Sequence, residues 1–446
     1  MKNLWLIACA VALSGGAAET NTIPWGTQPL SLASAINAAL ENNYTIRRGR
    51  HDLEAAYGVV VQTRAIALPK LRANGDYFAT DQTEDIDVPG GARFSFENGE
   101  RWSGNLRLIQ SIYEGGRITS ALRSAKLTRE QALLQFQAVI ADALLSVRTT
   151  YYDVLLARQQ IDVQDASVAL LQQELTDTRR RFDAGTVPQF NVLRAEVELA
   201  NAQPRLIRAR NGYRIAKNTL VHQLGYEVPT NIWDNIPIEL ADRLEPEPYE
   251  IDLPAALGQA LSQRPELAAL AKAERLRKED IASAKAGARP SVQLFGGYGS
   301  RSSQFSDDLS RDVTGWHAGA QLNWDIFDGW LTKGRVQQAR ALHGRAETEL
   351  EDATRQIELE VRTAYSTFIE AREVLESQRK VQEQAEESLR LANSRAEAGA
   401  ATQLDVLNAQ TALTEARTTQ IQAIRDYLVA RARLLRAMGA DTPKAK

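Results

Sequence analysis

Tyr113-Glu114-Gly115 returns as Phe327-Asp328-Gly329, and from there to Gly225 each residue has a counterpart 214 positions later. Val147-Arg148-Thr149 meets Val361-Arg362-Thr363, Gly185 meets Gly399, Tyr213 meets Tyr427, and Leu224-Gly225 meets Met438-Gly439. Upstream the offset is 221: Leu32 pairs with Leu253 and Pro69 with Pro290. The first copy therefore carries seven extra residues between Pro69 and Trp102, which already pairs with Trp316. A repeat of this length and register implies two structural units side by side around an axis.

Within each copy the order is the same. Short helices are expected near residues 31–41 and 253–262, and medium helices near 45–67 and 265–287, with Pro265 at a first helical position. A strand hairpin follows, near 69–112 and 290–327. In the second copy Trp316, Ala318, Ala320, Leu322, Trp324 and Ile326 share one face against His317, Gly319, Gln321, Asn323 and Asp325. Such alternation over about eleven residues matches a tilted membrane strand. Segments 81–100 and 302–314 read as polar loops.

Long helices are expected over 117–182 and 331–396, roughly 100 Å each at 1.5 Å per residue. Ile140, Val147, Val154, Ile161, Val168, Leu175 and Phe182 recur every seventh position, a coiled-coil seam. A second apolar set (Leu134, Leu144, Leu155, Leu156, Leu170) faces elsewhere, which suits a helix with a neighbour on each side. Helix hairpins then close at 117–225 and 331–439. Residues 226–252, with Pro229, Pro237, Pro246 and Pro248, read as an irregular connector that buries Trp233, Ile236 and Ile238. The division is thus a signal at 1–18, repeats at 19–225 and 253–440 around the connector, and a tail at 441–446.

Lys2, the apolar stretch 4–13 and Gly15-Gly16-Ala17-Ala18 form a secretory signal, with cleavage expected after Ala18. The single cysteine, Cys9, lies inside it, so the exported chain has no disulfide. A net charge of −3 gives no general attraction to nucleic acid. His51, His222, His317 and His343 are scattered without carboxylate or thiol partners at metal-ligand spacing, and no phosphate loop or nucleophile elbow occurs. An enzyme, a cofactor and a resident metal are therefore not expected.

Four membrane strands cannot close a barrel, and an open edge in lipid leaves backbone groups unpaired at several kcal/mol each. The chain must oligomerise. The two helix-hairpin tips, Gly185 with Asn191-Val192-Leu193-Arg194-Ala195 and Gly399 with Asp405-Val406-Leu407-Asn408-Ala409, carry a resemblance to the TolC-like outer-membrane efflux and secretion channels. It covers nearly the whole mature chain. The resemblance implies a mixed α and β membrane protein: a homotrimer with a twelve-stranded barrel in outer-membrane lipid, four strands per chain, continuous with a periplasmic α-helical barrel. It also implies partners, a periplasmic adaptor and an inner-membrane pump or ABC exporter, for which the channel is a passive exit duct.

In such channels an acidic residue at position 405 lines the constricted end, so Asp405, with Asn408, Asn191 and Arg194, forms the candidate gate. Thr402 and Asp405 also have capping-box spacing, and both roles stand. The tyrosine and arginine that lock some relatives fall at Ala396 and Ala401, which implies that the lock is absent. Gly185 and Gly399 are expected in left-handed turns. Arg181, Asp183, Thr186 and Glu397 beside them are candidate adaptor contacts or plain solvated surface. Trp102, Trp316 and Trp324 read as an aromatic belt, with core packing the alternative. The rival class is an exported coiled-coil scaffold without a pore, which has no use for the strand alternation; a diffusion porin would need more strands and less helix.

Overall fold

The computed structural model describes residues 29–79, 83–88, 92–97, 100–228, 236–302 and 312–440. The segment expected to be a secretory signal, Pro229, Trp233 and the expected tail lie outside them. The elements run α1 (Leu32–Asn42), α2 (Tyr44–Arg64), β1 (Lys70–Ala79), β2 (Thr83–Val88), β3 (Ala92–Glu97), β4 (Glu100–Glu114), α3 (Arg117–Asp183) and α4 (Gln189–Leu224). The second series is α5 (Leu253–Gln263), α6 (Pro265–Lys285), β5 (Ser291–Ser302), β6 (Asp312–Asn323), α7 (Leu331–Glu397) and α8 (Gln403–Ala437). Two compact units result, one of Met1–Arg47, Asp142–Glu250 and Ser366–Arg433, the other of Arg48–Ala141, Ile251–Tyr365 and Leu434–Lys446.

In the first unit the two apolar stripes of α3 find two partners. Leu175, with Val168 and Leu171, packs on Val192, Ala195 and Leu199 of α4. Leu170 instead joins Val406, Ala409 and Leu413 of α8 and Leu389 of α7. Phe182, the last residue of the heptad, is exposed at the tip. α4 continues through Pro204.

The connector is irregular and buries Ile236, Ile238, Leu240 and Leu244. Its anchors are polar. Asp242 accepts from the Leu32 amide at 2.8 Å and from the buried Tyr151 hydroxyl at 2.7 Å, and burial beside that carboxylate raises the tyrosine pKa and keeps it a neutral donor. Lys217 is buried, donates to the Ile236 carbonyl at 2.6 Å and lies over the Tyr213 ring, and burial lowers its pKa.

All four long helices end in one motif. Gly185, Gly225, Gly399 and Gly439 adopt φ of 73–79°, and each following amide reaches back five residues, as in Thr186 to the Arg181 carbonyl and Ala400 to the Arg395 carbonyl. These are Schellman caps. At Gly225 the chain also crosses α1 so closely that a Cβ would sit 2.1 Å from the Asn42 carbonyl oxygen. Gly185 has open space around it.

In the second unit β1, β4, β5 and β6 form one antiparallel sheet in the order β1-β4-β5-β6. The register sets Ala73, Leu106, Tyr298 and Trp316 side by side, followed by Leu71, Leu108, Gly296 and Ala318. This apolar face is exposed, Trp316 to 80%. The opposite face carries Arg72, Arg107 and His317, then Asn74 and Asn105. A bulge between Ser111 and Tyr113 shifts the register of β4 on β5, so that Tyr113 pairs with Val292 and Glu114 with Ser291.

Two expectations are corrected. Segment 81–100 is not loop throughout: β2 and β3 pair as a separate hairpin, Ile86 opposite Phe94. Ile86-Asp87-Val88 and Phe94-Ser95-Phe96 keep a period of two that a polarity reading passes over. This hairpin lies within the stretch that makes the first copy longer. The second correction concerns β6, which stops at Asn323, leaving Trp324 and Ile326 outside the strand. Asn323 pairs with Ser291, and the next partner would be Pro290, which has no N–H to continue the ladder.

Gly225→Ala is expected to destabilise the detergent-solubilised protein by clearly more than Gly185→Ala, whose left-handed penalty alone is roughly 1–2 kcal/mol. Denaturant unfolding of both variants checks this, and equal losses would contradict the close crossing.

Candidate functional site: the helix-hairpin tips

The tip turns owe their shape to the glycines, and their hydrogen bonds are spent locally. The Thr186 hydroxyl donates to the Arg181 carbonyl at 2.8 Å, so this candidate docking residue already serves as a cap. Arg181 and Asp183 are exposed in the same tip, and Glu397 is exposed at the end of α7.

The two return helices start differently. α4 begins after Pro188, which offers no side-chain cap, with Asn191 in its first turn. α8 begins after Thr402, and here the capping box forms. Asp405 Oδ2 accepts from the Thr402 amide at 2.8 Å and from its hydroxyl at 2.7 Å, while the Asp405 amide donates to Thr402 Oγ1 at 3.3 Å. The Thr402 hydrogen bonds hold the Asp405 carboxyl below the usual carboxylate range, helped by Arg395. Asp405 is nonetheless exposed, so an ionised group is both tethered and open to water.

Asp405 and Asn408 line one groove between α7 and α8, about 970 Å³ in volume, together with Lys380, Glu383, Glu387 and Arg395. Asn191 and Arg194 are on α4, away from that groove's lining. Sequence reasoning missed Arg395, whose guanidinium reaches the Ala400 carbonyl at 3.5 Å, beside Ala401. It also missed Gln403, which ties the two hairpins by donating to Thr178 Oγ1 at 2.8 Å and Glu174 Oε1 at 3.2 Å. No sequence spacing relates residues on different hairpins, so only the fold reveals the link.

The three tryptophans expected at a membrane interface do not stand level on the sheet. Trp102 and Trp316 share the apolar face, opposite Tyr77 and Tyr298 respectively, but stand two ladder steps apart. Trp324 lies past the strand and its indole N–H donates to the Ala288 carbonyl at 3.3 Å. The histidines also need correction: His343 Nε2 lies 2.7 Å from Glu274 and Nδ1 lies 3.6 Å from Glu347. Glu347 is one turn away on α7, visible as an i,i+4 spacing, whereas Glu274 arrives from α6. One carboxylate on each ring nitrogen makes this a bridge between the two helices.

The chain combines long α-hairpins with glycine tips and a sheet that is apolar on one face and polar on the other. The family model for outer membrane efflux proteins matches residues 35–226 and again 256–440, and the chain belongs to that family. It is 24% identical to the outer membrane protein TolC of Escherichia coli K12 over 98% of this chain and 87% of that protein. It is likewise 24% identical to the alkaline protease secretion protein AprF of Pseudomonas aeruginosa, covering 91% of this chain and 83% of that one. The crystal structure of the Campylobacter jejuni CmeC outer membrane channel superposes with a TM-score of 0.77 at 15% identity, over 95% of this chain and 92% of that one. The chain is thus a protein of the Gram-negative outer membrane with a large periplasmic part.

The Asp405 cap predicts faster amide hydrogen exchange at Thr402 and Asp405 in Asp405→Ala. Because the carboxyl is lowered, the cap is in place above about pH 4 and is lost as pH falls through the lowered value. Unchanged protection in the variant would leave the turn to Gly399 alone.

Proposed function

We propose that the protein is a passive exit duct, assembled from three copies, that takes substrates from an inner-membrane transporter through the periplasm to the outside. The observation that carries this reading is the two-faced sheet with unpaired edge strands β1 and β6. Its exposed apolar face, Leu71, Leu106, Tyr298, Trp316 and Leu322, suits lipid. Its edges need partners, and a neighbour's β6 against β1 satisfies both at once. Three copies then give a twelve-stranded barrel, with the helix hairpins as the periplasmic conduit. A soluble scaffold would leave that apolar face in water.

Family membership supports partners of the tripartite efflux or type I secretion kind: a periplasmic adaptor gripping the tips, with Arg181, Asp183 and Glu397 available to it, and a pump or ABC exporter beyond. Asp405 from three copies would form an acidic ring at the tip, favouring cations. Asn408 and Arg395 flank each carboxylate, and Asn191 and Arg194 are the corresponding positions on the partner hairpin.

Single-channel recording of the detergent-purified protein in a planar bilayer tests the reading. Discrete openings are expected, with a cation preference reduced in Asp405→Ala and openings abolished in Trp316→Asp/Leu322→Asp. Normal insertion of that double variant would remove the lipid-facing assignment, and an unchanged reversal potential in Asp405→Ala would leave that residue only its cap.

A further inference from the structure

The polar face of the sheet carries an unbalanced charge. Arg72 on β1 stands directly opposite Arg107 on β4, and the same ladder step continues through Gly297 to His317. Like charges opposite one another on neighbouring strands are destabilising. Among the described residues no carboxylate pairs with them. The adjacent steps hold Asn74, Asn105, Gly299 and Gly315 on one side and Lys70, Ile109, Phe295 and Gly319 on the other. Asp76 lies four residues along β1, roughly 13 Å at 3.3 Å per residue, beyond the ~8–10 Å screening length. It accepts from Ser103 Oγ at 2.6 Å. Glu114, at the far end of β4, is paired with Arg117.

The arginine is also held in place. The Arg107 guanidinium sits 4.5 Å from the centre of the Phe295 ring, which lies 6.2 Å from the His317 ring. Two glycines make room for this row. A Cβ at Gly297 would stand 2.7 Å from His317 Cε1, and one at Gly319 would stand 2.8 Å from Phe295 Cζ. Stacking uses the face of a guanidinium and leaves its N–H edge available. Arg107 Nε is buried and has no acceptor among the described residues.

We propose that Arg72, Arg107 and His317 form an anion-binding band on the barrel lumen, recognising phosphate or carboxylate groups of solutes in transit. The inference rests on the duct reading, which turns this face towards the lumen. Three copies would bring six arginines and three imidazoles to one level of the barrel. Guanidinium donors match two oxygens of a phosphate or carboxylate at once. The band would make the barrel and the acidic tip opposite in charge, so an anionic solute that passes the tip is favoured further along.

Inorganic pyrophosphate is the probe, added to either side of single channels in a planar bilayer. Block of the native channel is expected, at lower concentration from the barrel side than from the tip side. Arg72→Gln/Arg107→Gln should raise the half-blocking concentration at least tenfold with discrete openings retained, and Arg72→Lys/Arg107→Lys should recover most of that difference. Equal block in native and glutamine channels, or block only from the tip side, would overturn the band and leave the duct intact. Absence of openings from the native protein would overturn both.

Discussion

Backbone hydrogen bonding at the two edges of a four-stranded sheet is the constraint on which the other features turn. The outer edges of β1 and β6 have no partner strand among the described residues, and the apolar face beside them is exposed. In hydrocarbon, unpaired N–H and C=O groups cost several kcal/mol each, far more than any surface ion pair in this chain contributes. The proposed closure by other copies would remove that penalty wholesale. Under that proposal tip geometry and lumen charge acquire meaning, because each side chain would be repeated around an axis.

The internal repeat lets the same job be compared in two chemistries. Both helix hairpins turn on a Schellman glycine with identical backbone hydrogen bonds. Their return helices diverge: Pro188 presets one start, while Thr402 and Asp405 cap the other. The junctions ahead of α2 and α6 diverge too. Asn43 accepts from the Thr45 and Ile46 amides in the first copy. In the second copy, Arg264 holds Glu360 while Arg436 holds Glu266, whose carboxyl is lowered by Arg436 and Arg264 despite the opposing effect of burial. Divergence at matching positions gives one hairpin tip the capping carboxylate Asp405 where the other has Asn191.

Much of this was legible from residue order, for physical reasons. Helix boundaries, the left-handed glycines and the Thr402–Asp405 cap depend on neighbours within a few residues, and each appears where periodicity and spacing put it. The two stripes on α3 were legible as well, since a helix face encodes its neighbours. The end of β6 was not, because its limit is set by Pro290 on another strand. β2 and β3 were hidden under acidic and glycine-rich composition. Gln403 with Thr178, and Glu274 with His343, come from separate elements and have no sequence signature. The stacked row of Arg107, Phe295 and His317 required the register of three strands.

Cysteine cross-linking between edge strands addresses closure most directly. The chain has one cysteine, Cys9, within the segment read as a secretory signal, and Cys9→Ala in the same background lets introduced pairs report cleanly. Cysteines placed in pairs, one among Leu71, Ala73 and Gly75 and one among Trp316, Ala318 and Ala320, would be oxidised in outer-membrane preparations. The account predicts chain-to-chain disulfides for at least one register, with a ladder that stops at three chains. Absence of interchain products at every register, with the protein still inserted in the membrane, would contradict it.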